Sequence, residues 1–96
     1  MHHTRQLVFS MKWNRFVPKL KRLTAKQILA IFIHFGFVIS SQRGSHIKLV
    51  RIVQSQKQIL TIPNHDELDS GTCKAIMRQA SRFISADELY GHFYTE

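Results

Sequence analysis

FVISSQRGSHIKLV, residues 37–50, is the stretch that decides how this chain folds. Phe37 to Ser41 and Ile47 to Val50 are short apolar runs, and Arg43-Gly44-Ser45-His46 stands between them. Gly44 tolerates the positive φ that a tight turn demands, so the segment reads as a β-hairpin. Side chains change sides at every residue of a strand. Ile47 and Leu49 therefore share one face, while His46, Lys48 and Val50 share the other. The first face can join a core; the second carries a histidine and a cation into the open.

Upstream, Thr24 is a good N-cap, and Ile28, Ile31, Phe32 and Phe35 recur at the spacing of one helical face. Gly36 stands where a helix C′ residue is wanted. Downstream, the second strand runs from about Ser45 to Arg51 or Val53, and the polar Gln54-Ser55-Gln56 is the turn into a third strand, Gln58 to Ile62. Pro63 cannot donate to a ladder and ends that strand, with Asn64-His65-Asp66 as a loop. A helix begins again at Ser70, where Cys73, Ile76, Met77 and Ala80 form an apolar stripe. Ser85-Ala86-Asp87-Glu88 has the capping-box pattern and predicts a short C-terminal helix at about 85–94. The expected fold is α+β: α-β-β-β-α, both helices on one face of a three-stranded antiparallel sheet, plus that last helix. Residues 1–22 read as a basic N-terminal extension and 23–96 as a single domain.

Charge is distributed unevenly. Residues 1–65 hold eleven Lys and Arg and no acid, whereas the remainder holds three basic and six acidic side chains, so a net charge of +8 conceals a strongly cationic first two thirds. Such asymmetry points to a polyanionic partner. The extension, with Phe9, Trp13, Phe16 and Val17 among its cations, is either a solvated tail or an added nucleic-acid contact through phosphates and base stacking. Cys73 is the sole cysteine, which excludes an internal disulfide and a cysteine metal cage and fits the cytosol. Ile28 to Ile39 is interrupted by His34 and Gly36 and falls short of a membrane span, and the first ten residues lack the pattern of a secretion signal. Met11-Lys12-Trp13 reads as a second plausible start.

The order α-β-β-β-α with a basic open sheet face is that of double-stranded-RNA-binding domains. From about Thr24 to Ile84, moreover, the chain resembles the HicA family of bacterial mRNA interferase toxins. The resemblance rests on Phe35-Gly36-Phe37 closing the first helix, Gly44-Ser45-His46, Thr61-Ile62-Pro63, His65, and Gly71-Thr72 before Ile76-Met77-Arg78-Gln79-Ala80. It implies a cytoplasmic bacterial endoribonuclease, an RNA substrate, a HicB-type antitoxin as protein partner, and catalysis by the histidine of the Gly-Ser-His motif, here His46. Family members often carry a second histidine directly after it; this chain has Ile47, on the core side of the strand.

The chemistry supports the same residue independently. Imidazole takes and returns a proton near neutral pH. RNA supplies its own nucleophile, the 2′-OH, so cleavage needs proton transfer and charge stabilisation, with neither metal nor cofactor expected. Lys48 on the same face and Arg43 in the turn are best placed to stabilise the crowded phosphate. Arg51 and Lys57 are candidates for gripping flanking phosphates, and Ser45 and His65 for auxiliary roles. His65 is either the complementary acid or base, or a turn hydrogen-bonder. Ser45 lacks the elbow and acid partner of a serine nucleophile. His34, in the last turn of the first helix, reads as structural, and nothing in the histidine spacing predicts a metal site with His46, His65 or His92. The competing function is a non-catalytic double-stranded-RNA-binding module; a DNA-binding or ribosome-associated basic protein is a third. A titrating imidazole on the phosphate-facing side favours the enzyme, because a binding module needs only cations there.

Overall fold

The computed structural model describes residues 18–95. The expectations placed on residues 1–17 of the basic extension therefore lie outside the described residues. Strand β1 (Lys19–Leu20) is followed by helix α1 (Ala25–His34), strands β2 (Val38–Arg43), β3 (His46–Val53) and β4 (Gln56–Pro63), helices α2 (Ser70–Ala80) and α3 (Ala86–Phe93), and strand β5 (Tyr94–Thr95). The central sheet is antiparallel in the order β2-β3-β4, and β1 pairs with β5 apart from it. This is the α+β arrangement of a double-stranded-RNA-binding domain with a short C-terminal helix added.

Local chemistry fixes where α1 begins and ends. Thr24 and Gln27 form a reciprocal capping box: Gln27 N–H donates to Thr24 Oγ1 (3.1 Å) and Thr24 N–H donates to Gln27 Oε1 (2.9 Å). At the other end Gly36 takes φ +95°, and Gly36 and Phe37 donate back to the carbonyls of Ile33 (2.9 Å) and Phe32 (3.0 Å). These two bonds make a Schellman motif. Its customary apolar contact is the edge-to-face pair of Phe32 and Phe37, with ring centroids 5.9 Å apart. The helix thereby hands its chain straight into β2.

Ile28 and Phe32 of α1 and Cys73, Ile76 and Ala80 of α2 pack in one cluster with Ile47, Leu49, Leu60 and Ile62, the alternate residues of β3 and β4. Both helices thus cover the same face of the sheet. Leu89 and Phe93 of α3 join the cluster. Cys73 serves as a small apolar residue in this core, and burial pushes its thiol pKa up. Among the described residues, no helix is long and apolar enough to cross a membrane.

Three features were not legible beforehand. Residues 19–22, assigned to the extension, are tied to the domain: β1 pairs Lys19 with Thr95 and Leu20 with Tyr94, and Lys21 N–H donates to Phe93 O (2.8 Å). The β3–β4 turn places Gln54 at φ +50° and Ser55 at +65°. That is the backbone of a type I′ hairpin turn, built without the Asn-Gly that usually announces it. Third, Gln79 of α2 covers the outer edge of β4, its side-chain amide accepting from Thr61 N–H (2.8 Å) and donating to Thr61 O (3.4 Å). A side chain here supplies the hydrogen bonds that another strand would make.

Candidate RNA-cleavage site

His46 opens β3 immediately after the Gly44-Ser45 turn, in which Gly44 holds φ +58°. It stands directly across from Arg43 on β2 and Pro63 on β4, while Lys48 stands between Ser41 and Thr61. Directly opposed residues of an antiparallel ladder share a face, with Cβ atoms about 4.5–5.5 Å apart. The uncovered face therefore gathers Arg43, His46, Lys48, Ser41 and Thr61 at one end. His46 is exposed and Lys48 half-buried.

A β-bulge at Ser40 decides which residue meets the histidine. Val38 pairs with Val50 and Ile39 with Leu49, but the register then shifts, so that Ser41 meets Lys48 and Arg43 meets His46. Continued without the shift, the ladder would put Gln42 opposite His46. One extra residue thus exchanges an amide for a guanidinium beside the imidazole, the kind of re-aiming for which bulges are used. Nothing in the run Val38-Ile39-Ser40-Ser41 signals it.

The other expected site residues are dispersed. Ser45 lies in the turn, where its carbonyl accepts from Asn64 N–H (2.6 Å), which brings the loop after β4 to the His46 end of the sheet. His65 follows in that loop, exposed, and its carbonyl accepts from Ala25 N–H (3.1 Å). Lys57 is paired with Ile52 and so lies on the open face, but six residues along β3 from His46, roughly 20 Å away. Arg51 lies on the opposite face. Its guanidinium donates to Gln58 Oε1 (2.7 Å), Phe35 O (2.8 Å) and Phe83 O (3.2 Å), with Cζ 4.7 Å from the Phe37 ring centroid. Those contacts join the end of α1, β4 and the segment after α2, and they keep Arg51 away from anything bound beside His46. Strand parity already put Arg51 with Ile47 and Leu49; charge alone suggested otherwise.

Two further features went unanticipated. The far end of the open face is apolar, with Val38 62%, Ile52 69% and Ile59 37% exposed around Val50. His34 and His92 meet with ring centroids 5.4 Å apart, each edge-on to Phe35, because α3 packs against the end of α1. Among the described residues no three potential metal ligands gather.

No curated protein matches the chain. The family model described as the HicA toxin of bacterial toxin-antitoxin matches residues 25–81, from the first residue of α1 to just past α2 and more than half of the chain. It spans the hairpin, the bulge and His46, and leaves β1, α3 and β5 outside. The chain therefore belongs to the HicA family of toxins of bacterial toxin–antitoxin pairs.

Proposed function

We propose that this toxin is a metal-independent endoribonuclease in which His46 transfers the proton during attack of the 2′-OH on the adjacent phosphodiester. The family is one of ribonucleases in general, with a HicB antitoxin as its partner. One observation carries the finer reading: the exposed imidazole stands opposite Arg43 and beside Lys48, on a sheet face whose paired residues include no carboxylate.

As the 2′-oxygen bonds to phosphorus and the bond to the 5′-oxygen breaks, the phosphoryl group becomes more crowded with negative charge. Arg43, across from His46 on β2, and Lys48, two residues along β3 on the same face, offer donors to that charge before it develops, so little reorganisation is needed. His46 acts either as the base that removes the 2′-proton or as the acid that protonates the departing 5′-oxygen. A single such group contributes about 10²–10⁴-fold. His65, brought to the same end of the sheet by the Asn64–Ser45 bond, is the candidate for the complementary role. Lys57 would meet a phosphate farther along the strand, and Arg51 is left with its structural contacts.

The apolar end of the open face supports a protein partner as well as RNA. An antitoxin presenting apolar and acidic groups would bury Val38, Ile52 and Ile59 and neutralise the cations around His46 in one contact. A binding module without catalysis would use the same cations. Incubating purified protein with a mixed-sequence single-stranded RNA in excess chelator, beside His46→Ala, separates the two. Chelator-resistant cleavage that vanishes in the variant while RNA binding persists supports the enzyme; binding of duplex RNA with no cleavage by either protein favours the module.

A further inference from the structure

Helices α2 and α3 enclose a groove of about 320 Å³ on the helical side of the domain, lined by Lys74, Met77, Arg78, Leu89, Tyr90 and Tyr94 among others. Tyr90 and Tyr94 stack nearly parallel, with centroids 4.6 Å apart and planes 11° apart. Tyr94 is partly buried, whereas Tyr90 is 42% exposed, so the two-ring column is closed at one end and open at the other. Lys74 and Arg78 form the opposite wall, one helical turn apart and both exposed. From Ser70 to Ala86 the chain carries Lys74, Arg78 and Arg82 and no carboxylate.

An open aromatic face beside a pair of cations is the arrangement that binds unpaired nucleotides, a base on the ring and its phosphates on the cations. We propose that this groove is a second RNA contact, taking a nucleotide of the single strand that flanks the cleaved bond, with its base stacked on Tyr90 and its phosphates against Lys74 and Arg78. The proposal rests on the ribonuclease reading above for the location of the cleaved bond. Charge complementarity selects RNA as the occupant, since the lining has cations and no acid. A route from the catalytic face is also available. Lys48 faces Thr61 across the sheet, Thr61 is bonded to Gln79, and Gln79 is the neighbour of Arg78. A strand leaving His46 would pass over the β4 edge onto the cationic ridge of α2. The family match includes Lys74 and Arg78 but ends before α3, so the stacking half of this contact, Tyr90 and Tyr94, lies beyond the matched residues.

The test is RNA-length dependence of binding, measured on the full chain with non-cleavable 2′-O-methyl single strands of a few nucleotides and of about a dozen. The wild type should bind the longer strand at least tenfold more tightly. Tyr90→Ala should remove most of that increment, since one stacked base is worth about 5- to 150-fold, and the double variant Lys74→Gln/Arg78→Gln should remove part of it and flatten the salt dependence. Unchanged thermal midpoints establish that both variants fold. An increment that survives in both variants overturns the proposal, as does one in which these variants weaken only the complex with the antitoxin, because the occupant is then protein. Cleavage of ordinary RNA by wild type and His46→Ala is scored separately, so a chain that never cuts refutes the ribonuclease reading while the length increment still reports on the groove.

Discussion

The two faces of β3 are made by one run of sequence and are held to different standards. Ile47 and Leu49 are buried against both helices, and Arg51, on the same side, stitches the end of α1 to the segment after α2. His46, Lys48, Val50 and Ile52 alternate with them and face outward, where packing demands almost nothing. On the covered face a side chain is judged by volume and by whether its polar atoms are satisfied. On the open face it is judged by what it offers to a ligand. The contrast teaches that a histidine which contributes little to stability can occupy a rigid position, because its neighbours on either side in the chain are locked into the core.

Substitutions can break this contrast. The largest effects should come from adjacent sites with opposite readouts. His46→Ala should lower RNA cleavage by about 10²–10⁴-fold with its thermal midpoint unchanged, while Leu49→Ala should cost about 2–5 kcal/mol in denaturant unfolding, because it leaves a cavity beneath both helices. Arg51→Ala should follow at about 2–4 kcal/mol. It removes charge-assisted bonds to two backbone carbonyls and the stack on Phe37, and Arg51→Lys should not rescue it, since one ammonium cannot fork to three acceptors. If folded Arg51→Lys instead lost cleavage as steeply as Lys48→Ala, Arg51 would belong to the phosphate-binding set after all.

Smaller effects sharpen the contrast. Lys48→Ala should slow cleavage by roughly tenfold through lost charge stabilisation, with the pH dependence of the rate retained because His46 is untouched. Gln54→Asn with Ser55→Gly should raise stability by about 0.5–2 kcal/mol, as both residues occupy left-handed backbone that Asn and Gly adopt more readily. At the α2 N-terminus, Asp69 accepts from Thr72 N–H (2.7 Å), and that bond, followed by one from the Thr72 hydroxyl, holds its carboxyl below the ordinary 3.8. A depressed carboxylate contributes stability above its unfolded pKa and loses it as pH falls through the folded one. Thermal midpoints measured below about pH 4 should therefore fall less steeply in Asp69→Asn, which keeps an acceptor at the cap but no titrating charge.

Much of this molecule was legible in the sequence where local chemistry and pattern agree. Thr24, Gly36, Gly44 and Ser85 announce their caps and turns, and period-two alternation around His46 announces which side it faces. What remained hidden depends on contacts distant in sequence or on register. The Ser40 bulge, which puts Arg43 rather than Gln42 across from His46, is a one-residue shift that composition does not encode. Strand β1 exists only because β5 comes back to it from the other end of the chain. The meeting of His34 with His92, and the groove between α2 and α3, both depend on where α3 docks, which its own amphipathic pattern does not state. Arg51 misleads for a related reason, since its charge speaks of phosphate while its strand parity speaks of the core.

An alanine scan of the six residues from His46 to Arg51, with each variant read for thermal midpoint and for chelator-resistant RNA cleavage, tests the division of β3 most directly. Midpoint losses should concentrate at Ile47, Leu49 and Arg51, and cleavage losses in well-folded protein at His46 and then Lys48, so that the two profiles alternate out of phase. If His46→Ala cleaves as fast as the wild type, or if cleavage falls only in step with the midpoint along the whole strand, the open face is not the catalytic one.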